Sequence, residues 1–187
     1  MKEKIGALDL LQHSRHDWMN RLQIIKGNLE LANVERAREV IEEIVIEMRQ
    51  EAQLSALGVP HLSEWLLTYN WVRRARLMVK FEVLTDGRLP IEMDPTLYEW
   101  LKGVVDKLEQ SVCDGVDNEL YFIMEIDQEQ SAFHVTIEYE GGELKDSPKN
   151  WLKDINCKRV EPALTWYGST STQFAVKASF ELFPVSR

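Results

Sequence analysis

The chain has 187 residues, 44% of them hydrophobic and 28% charged, with a formal net charge of -9. These are the proportions of an ordinary soluble globular chain large enough for one core or two small ones. The acidity argues against a nucleic-acid surface, and no apolar run approaches the roughly 20 residues that span a bilayer. No nucleic-acid or membrane partner is therefore expected. The start, Met1-Lys2-Glu3-Lys4-Ile5-Gly6, leads straight into heptads without a signal-peptide core. Cys113 and Cys157 have neither metal-site spacing nor a disulfide framework. Reduced thiols and a cytoplasmic location are expected.

The first predicted helix runs from about Ile5 to Leu31. Leu8, Leu11, Arg15, Trp18, Leu22, Ile25 and Leu29 recur at alternating spacings of three and four, the seam of a coiled coil or bundle. With Leu8 at an a position, His16 falls at b, and His13 and Asn20 fall at f, all pointing away from the seam. His16 and Asn20 are four apart and therefore neighbours on the helix surface. Arg15 is the one polar seam residue. After a short turn at Asn33, a second helix is predicted from about Glu35 to Leu57. Val34, Ala37, Ile41, Ile44 and Met48 form its stripe, and Glu35, Glu39, Glu42, Glu43, Glu47 and Glu51 its acidic outer face. So short a link makes an antiparallel hairpin. A hairpin cannot cover its own seam, so pairing with a second copy in a four-helix bundle is expected, giving a homodimer.

Gly58-Val59-Pro60 ends this helix. The expected domains are a 1–57 hairpin for dimerisation and phosphotransfer, a 58–61 linker, and a 62–187 α/β domain. His61 is expected in a loop. A helix over Leu62 to Arg76 and a strand over Met78 to Leu84 precede a turn, Thr85 to Pro90. Asp94-Pro95-Thr96 is expected to cap a helix reaching about Cys113. Strands are predicted over Glu119 to Asp127 and Ala132 to Tyr139, joined by a polar turn. The 141–168 stretch is expected to hold a short helix near Asn150 to Ile155 and a strand near Thr165. A last strand, Phe174 to Phe183, alternates. The fold class expected is α plus α/β: the hairpin, then a sandwich of one mixed sheet with helices on one side. His134 and the tryptophans are expected to be structural.

His16 carries the candidate chemistry. A neutral imidazole has one basic nitrogen and one N–H, and its unperturbed pKa near ~6.5 keeps it largely neutral at cytoplasmic pH. A carboxylate holding Nδ1–H would leave Nε2 free to attack and would stabilise the charge that develops. Asp17 is the nearest candidate. Asn20 would orient the ring or donate to a phosphoryl oxygen. Arg15, and more weakly Arg21, would offer positive charge to a group in transfer, since phosphoryl transfer depends on positioning and charge neutralisation. His13-x-x-His16 is at most half a metal site, and no metal or cofactor is expected in this chain.

The run His13-Ser14-Arg15-His16-Asp17-Trp18-Met19-Asn20-Arg21-Leu22, continuing to Gly27-Asn28, resembles the sporulation initiation phosphotransferase B family of spore-forming bacilli. More broadly, it is similar to the His-Asp-x-x-Asn helix of related sensor kinases. The resemblance extends through Pro60-His61-Leu62 and, more loosely, over the chain. It implies a phosphorelay intermediate. A single-domain response regulator donates from an aspartyl phosphate to the histidine, His16 by position. A response-regulator transcription factor that starts sporulation accepts. Mg2+ would sit in the regulator's acidic pocket. The second domain would resemble a histidine-kinase ATPase domain that no longer handles ATP. By rough alignment Gln110 stands where such kinases have an essential asparagine, Tyr139 replaces the adenine-reading aspartate, and Glu143 replaces a turn glycine. No glycine follows Gly168 to wrap a triphosphate. Regulator docking is expected over Gln12, His13, Asn20, Gln23 and Gly27. The alternatives are a sensor-kinase core with a degenerate ATP site and a non-catalytic dimeric scaffold.

Overall fold

The structure is a computed structural model that describes residues 6–72, 76–155 and 161–182. Its first two elements are the helices α1 (Ala7–Glu30) and α2 (Val34–Ala56). Between them Asn33 N donates to Asn28 O at 2.8 Å and Ala32 N to Leu29 O at 3.0 Å. This Schellman closure needs a left-handed residue, here Ala32 at φ 57°. Asn33 then caps α2, its side chain accepting from Arg36 N. The two helices run back antiparallel as the hairpin.

The predicted stripe of α2 divides. Ala37 and Val40 are buried and Ile44 is half-buried within the hairpin, while Val34, Ile41 and Met48 stay exposed. On α1, Leu8 is 80% exposed, Leu22 54% and Trp18 40%. The hairpin thus carries an apolar face that no described residue of the single chain covers.

The end of α2 belongs to the second unit. Leu54 and Leu57 lie in its core, and Leu89 N donates to Leu57 O at 2.8 Å. Gly58, at φ 82°, turns the chain, Val59 is fully buried, and helix α3 (Pro60–Val72) starts at once. The expected linker 58–61 is therefore built into the core and into α3. His61 is helical rather than in a loop. Asp94 departs from expectation too. It is the first residue of α4 (Asp94–Ser111), with Pro95 behind it, and its buried carboxylate caps α3 instead, accepting from His61 N at 2.9 Å and Leu62 N at 3.0 Å. His61 Nδ1 closes on the same carboxylate at 2.8 Å.

Among the described residues five strands form one sheet: β1 (Met78–Val83), β2 (Glu119–Asp127), β3 (Ala132–Glu140), β4 (Ala163–Ser169) and β5 (Gln173–Glu181), in the order β1-β2-β3-β5-β4. The β1–β2 pair is parallel and the others antiparallel. Alternation sends Leu120, Phe122 and Met124, Phe133, Val135 and Ile137, and Phe174, Val176 and Phe180 to one face, where α3 and α4 cover them. Trp100 of α4 meets Phe180 edge to face at 5.4 Å. A short helix α5 (Pro148–Trp151), continued by a 3₁₀ turn, precedes β4.

The open edge of β1 is closed by amide side chains. Asn70 of α3 donates to Val79 O and accepts from Val79 N, at 2.7 and 3.1 Å. Gln50 of α2 accepts from Val83 N at 2.6 Å. Each replaces a missing strand neighbour, and together they seat both helices against the sheet edge. The hairpin and the α/β unit are joined through this edge as well as through the chain.

Candidate phosphotransfer site

His16 stands midway along α1, its side chain 72% exposed. Two groups face its Nδ1: Asn20 Nδ2 at 3.2 Å and Asp17 Oδ1 at 3.5 Å. The amide, one helical turn on, is the closer partner, and the carboxylate lies at the outer limit of hydrogen bonding. The amide can serve either ring tautomer. Its NH2 donates to a bare Nδ1, and turned over, its oxygen accepts from Nδ1–H. The carboxylate serves only the protonated nitrogen. Both contacts are made at Nδ1, and among the described residues no protein group binds Nε2. The helix therefore holds the ring from one side and leaves the other nitrogen to solvent. An imidazole in that state can attack an electrophilic phosphorus and keep the resulting charge beside an acceptor.

Of the arginines, Arg15 is exposed with no described partner, so its guanidinium is available one residue from His16. Arg21 is committed elsewhere, in an ion pair with Glu47 of α2. Burial, and Glu47 beside it, push the Glu51 carboxyl above its usual range, with Arg21 opposing. This triad of side chains staples the hairpin. Gln12, His13, Asn20 and Gln23 are all exposed, on the side of α1 that carries His16. Gly27 lies further along, and a Cβ built on it would meet nothing within 4 Å.

A second region of interest lies between α4 and α5. A cavity of about 330 Å³ there is lined by Lys107, Gln110, Ser111, Asp146, Asn150 and Asp154, with Trp151. Two carboxylates face one ammonium. The turn after β3 is closed on itself. Tyr139, buried and stacked on Phe174 at 5.6 Å, has its one hydroxyl hydrogen shared between Asn118 Oδ1 at 2.8 Å and Gly142 O at 3.0 Å. Gly142 N donates to the same Asn118 oxygen at 2.9 Å. A Cβ at Gly141 would meet that oxygen at 2.5 Å. Burial holds the Tyr139 hydroxyl up at about 12. Asn118 and its network were not anticipated from the sequence. A lone asparagine before a strand gives no signal that its side chain will organise a turn more than twenty residues away.

The family model described as "Sensor_kinase_SpoOB-type, alpha-helical domain" matches residues 2–57. The model "Sporulation initiation phospho-transferase B, C-terminal" matches residues 58–168. Among curated proteins, the sporulation initiation phosphotransferase B of Bacillus subtilis (strain 168) is 33% identical over 159 residues, covering 82% of each chain. Among solved structures, the blue-light activated histidine kinase of Erythrobacter litoralis EL346 is similar with a TM-score of 0.50 at 18% identity. That likeness covers 97% of this chain, which spans 62% of the kinase's length, and speaks to the fold alone. A helical phosphotransfer hairpin joined to a kinase-type α/β domain, matched by both models and by a relative over most of its length, places the chain in the sporulation initiation phosphotransferase B family.

Proposed function

We propose that the chain is a phosphorelay histidine phosphotransferase in which His16 is the relay residue. The lone pair of Nε2 attacks the phosphorus of an aspartyl phosphate on a single-domain response regulator. The N–P bond forms as the P–O bond to the aspartate breaks, and the carboxylate leaves with the electron pair. Nδ1 keeps its proton, and Asn20 and Asp17 stabilise the cationic ring. Attack by an aspartate of a second regulator, a transcription factor that initiates sporulation, reverses these steps. Arg15 offsets charge on the phosphoryl oxygens. The chain itself supplies no cofactor. The divalent cation of aspartyl-phosphate chemistry, Mg2+, belongs to the regulator's acidic pocket.

The observation that carries this reading is the exposed ring held, among the described residues, at Nδ1 alone. The exposed seam supports a homodimer with two His16 sites on one bundle, and a phosphorelay role between response regulators fits a cytoplasmic location. Regulators dock over Gln12, His13, Asn20, Gln23 and Gly27. The functional division is the hairpin 1–57, the join 58–61 and a 62–187 domain that has lost ATP chemistry, since Asp146 and Asp154 repel a polyphosphate and the 141–143 turn is filled by Tyr139 and Asn118. The chain is on this reading not an autokinase.

Two labelling reactions test this. Phosphorylated regulator should transfer acid-labile phosphate to the wild-type chain and not to His16→Gln. Labelled ATP with Mg2+ alone should leave the chain unlabelled. Self-labelling at His16 from ATP would establish the kinase instead. Signalling that survives His16→Gln would leave a scaffold.

A further inference from the structure

Among the described residues, no helix lies over the face of the sheet away from α3 and α4, and near one end that face is hollow. The register sets Tyr121, Glu138, Ala175 and Gly168 side by side across four strands. Ala175 and Gly168 are the small pair, so they make a floor. Tyr121 rises on one side. On the other a bulge between Trp166 and Gly168 inserts Tyr167, which is 63% exposed. A Cβ at Gly168 would meet nothing within 4 Å. The result is a groove of about 430 Å³.

The rim is acidic. Glu119 is paired with Lys80 at 2.7 Å, and Glu140 accepts from Gln173 Nε2 at 2.9 Å. Glu138, between the tyrosines, is exposed and has no partner among the described residues. The charge continues along the strands beyond the groove through Glu125 and Asp127, with Lys177 as the nearby counter-charge. An unpaired carboxylate between two aromatic faces suits a guanidinium or ammonium group on an apolar stem. A small cation would use only the groove. Acid stands at Glu138 and Glu140 of β3, two residues and roughly 6.7 Å apart, and again further along the same face at Glu125 and Asp127 of β2, a spread that suits an extended chain bearing cations.

We infer that this groove docks an extended basic segment of a protein partner, one arginine or lysine seated over Glu138 between Tyr121 and Tyr167. The site is separate from His16 and acts by binding alone.

The test uses the full chain and a labelled octapeptide alternating arginine with threonine, followed by fluorescence anisotropy at low and moderate salt. Binding is expected to weaken with salt and to fall at least about tenfold in Glu138→Gln and, separately, in Gly168→Leu, which fills the floor without changing charge. His16→Gln and Glu42→Gln, the latter removing a charge from the far acidic helix, should bind as wild type. No binding at millimolar peptide would overturn the inference. So would equal affinity in both groove variants, an equal loss in Glu42→Gln, or equal affinity for N-acetyl-argininamide. Because His16→Gln keeps the groove, failure here is distinct from failure of the phosphotransfer reading.

Discussion

Leu8, Leu11 and Leu22 of α1 are 80%, 60% and 54% exposed, whereas Leu97, Leu101 and Leu108 of α4 have no exposed surface. Both helices are amphipathic with leucine on the apolar side. The difference lies in what each has opposite it. The stripe of α4 meets a five-stranded sheet in its own chain, and the stripe of α1 stays largely exposed in its own chain. The α/β unit, with the end of α2, thus closes its core within one chain, while on the proposed dimer the hairpin's stability would depend on a second copy covering its apolar face, and so on concentration. The same openness keeps His16 accessible, since the face turned from the seam stays clear of the α/β unit.

The largest effect separates chemistry from both folds. His16→Gln should lower phosphoryl acceptance by about 10³-fold or more while circular dichroism and dimer mass stay unchanged. Loss of helicity in that variant would mean the histidine is also structural. Next come two core-type substitutions with opposite reach. Trp100→Ala should cost about 3–5 kcal/mol in denaturant titration of the α/β unit and leave the chain dimeric. Leu22→Asp should abolish the dimer in sedimentation and leave the near-ultraviolet signal of the α/β unit intact. If Leu22→Asp unfolded the whole chain, the two regions would not be separable.

A smaller effect concerns the closed turn. Tyr139→Phe should cost about 1–2 kcal/mol, because Gly142 O loses its donor in a buried site. The folded state holds the neutral phenol, its pKa raised from 10.0 to about 12. The contribution is therefore complete below pH 10 and is lost as pH rises through about 12. Thermal melts between pH 9 and 12 should fall in the wild type and flatten in the variant. The smallest effects lie on the hairpin. Gly27→Ala should stabilise α1 by about 0.5–1 kcal/mol yet slow transfer, if a regulator backbone approaches there. Ala32→Gly, which relieves a left-handed alanine, should stabilise by about 0.5–1 kcal/mol without touching transfer.

Much of this was legible from local pattern. The β2–β3 hairpin agrees with expectation to within a residue because alternation and a polar turn bound it on both sides. β5 was visible in the alternation from Phe174, and the hairpin in its heptads. What escaped were features that depend on a distant element. Asp94 reads as a cap for the helix that follows it, yet its carboxylate serves α3, some thirty residues earlier. Ala37 and Ile44 read as one stripe with Ile41 and Met48, because a heptad count cannot tell the partner helix in the same chain from one in another. Leu54 and Leu57 read as the end of the hairpin and lie in the other core. At the site, the i,i+4 spacing put Asn20 beside His16, but only the geometry showed that the amide is nearer to Nδ1 than the carboxylate.

The central claim is that Nε2 of His16 carries the phosphoryl group. Nitrogen-15 and phosphorus-31 NMR of the chain, phosphorylated by a regulator in the absence of ATP, reads the bonded atom directly. Phosphorus coupled to Nε2 of His16, with Nδ1 protonated, is the expected result. Phosphate on Nδ1, on another residue, or on no residue of this chain would contradict it.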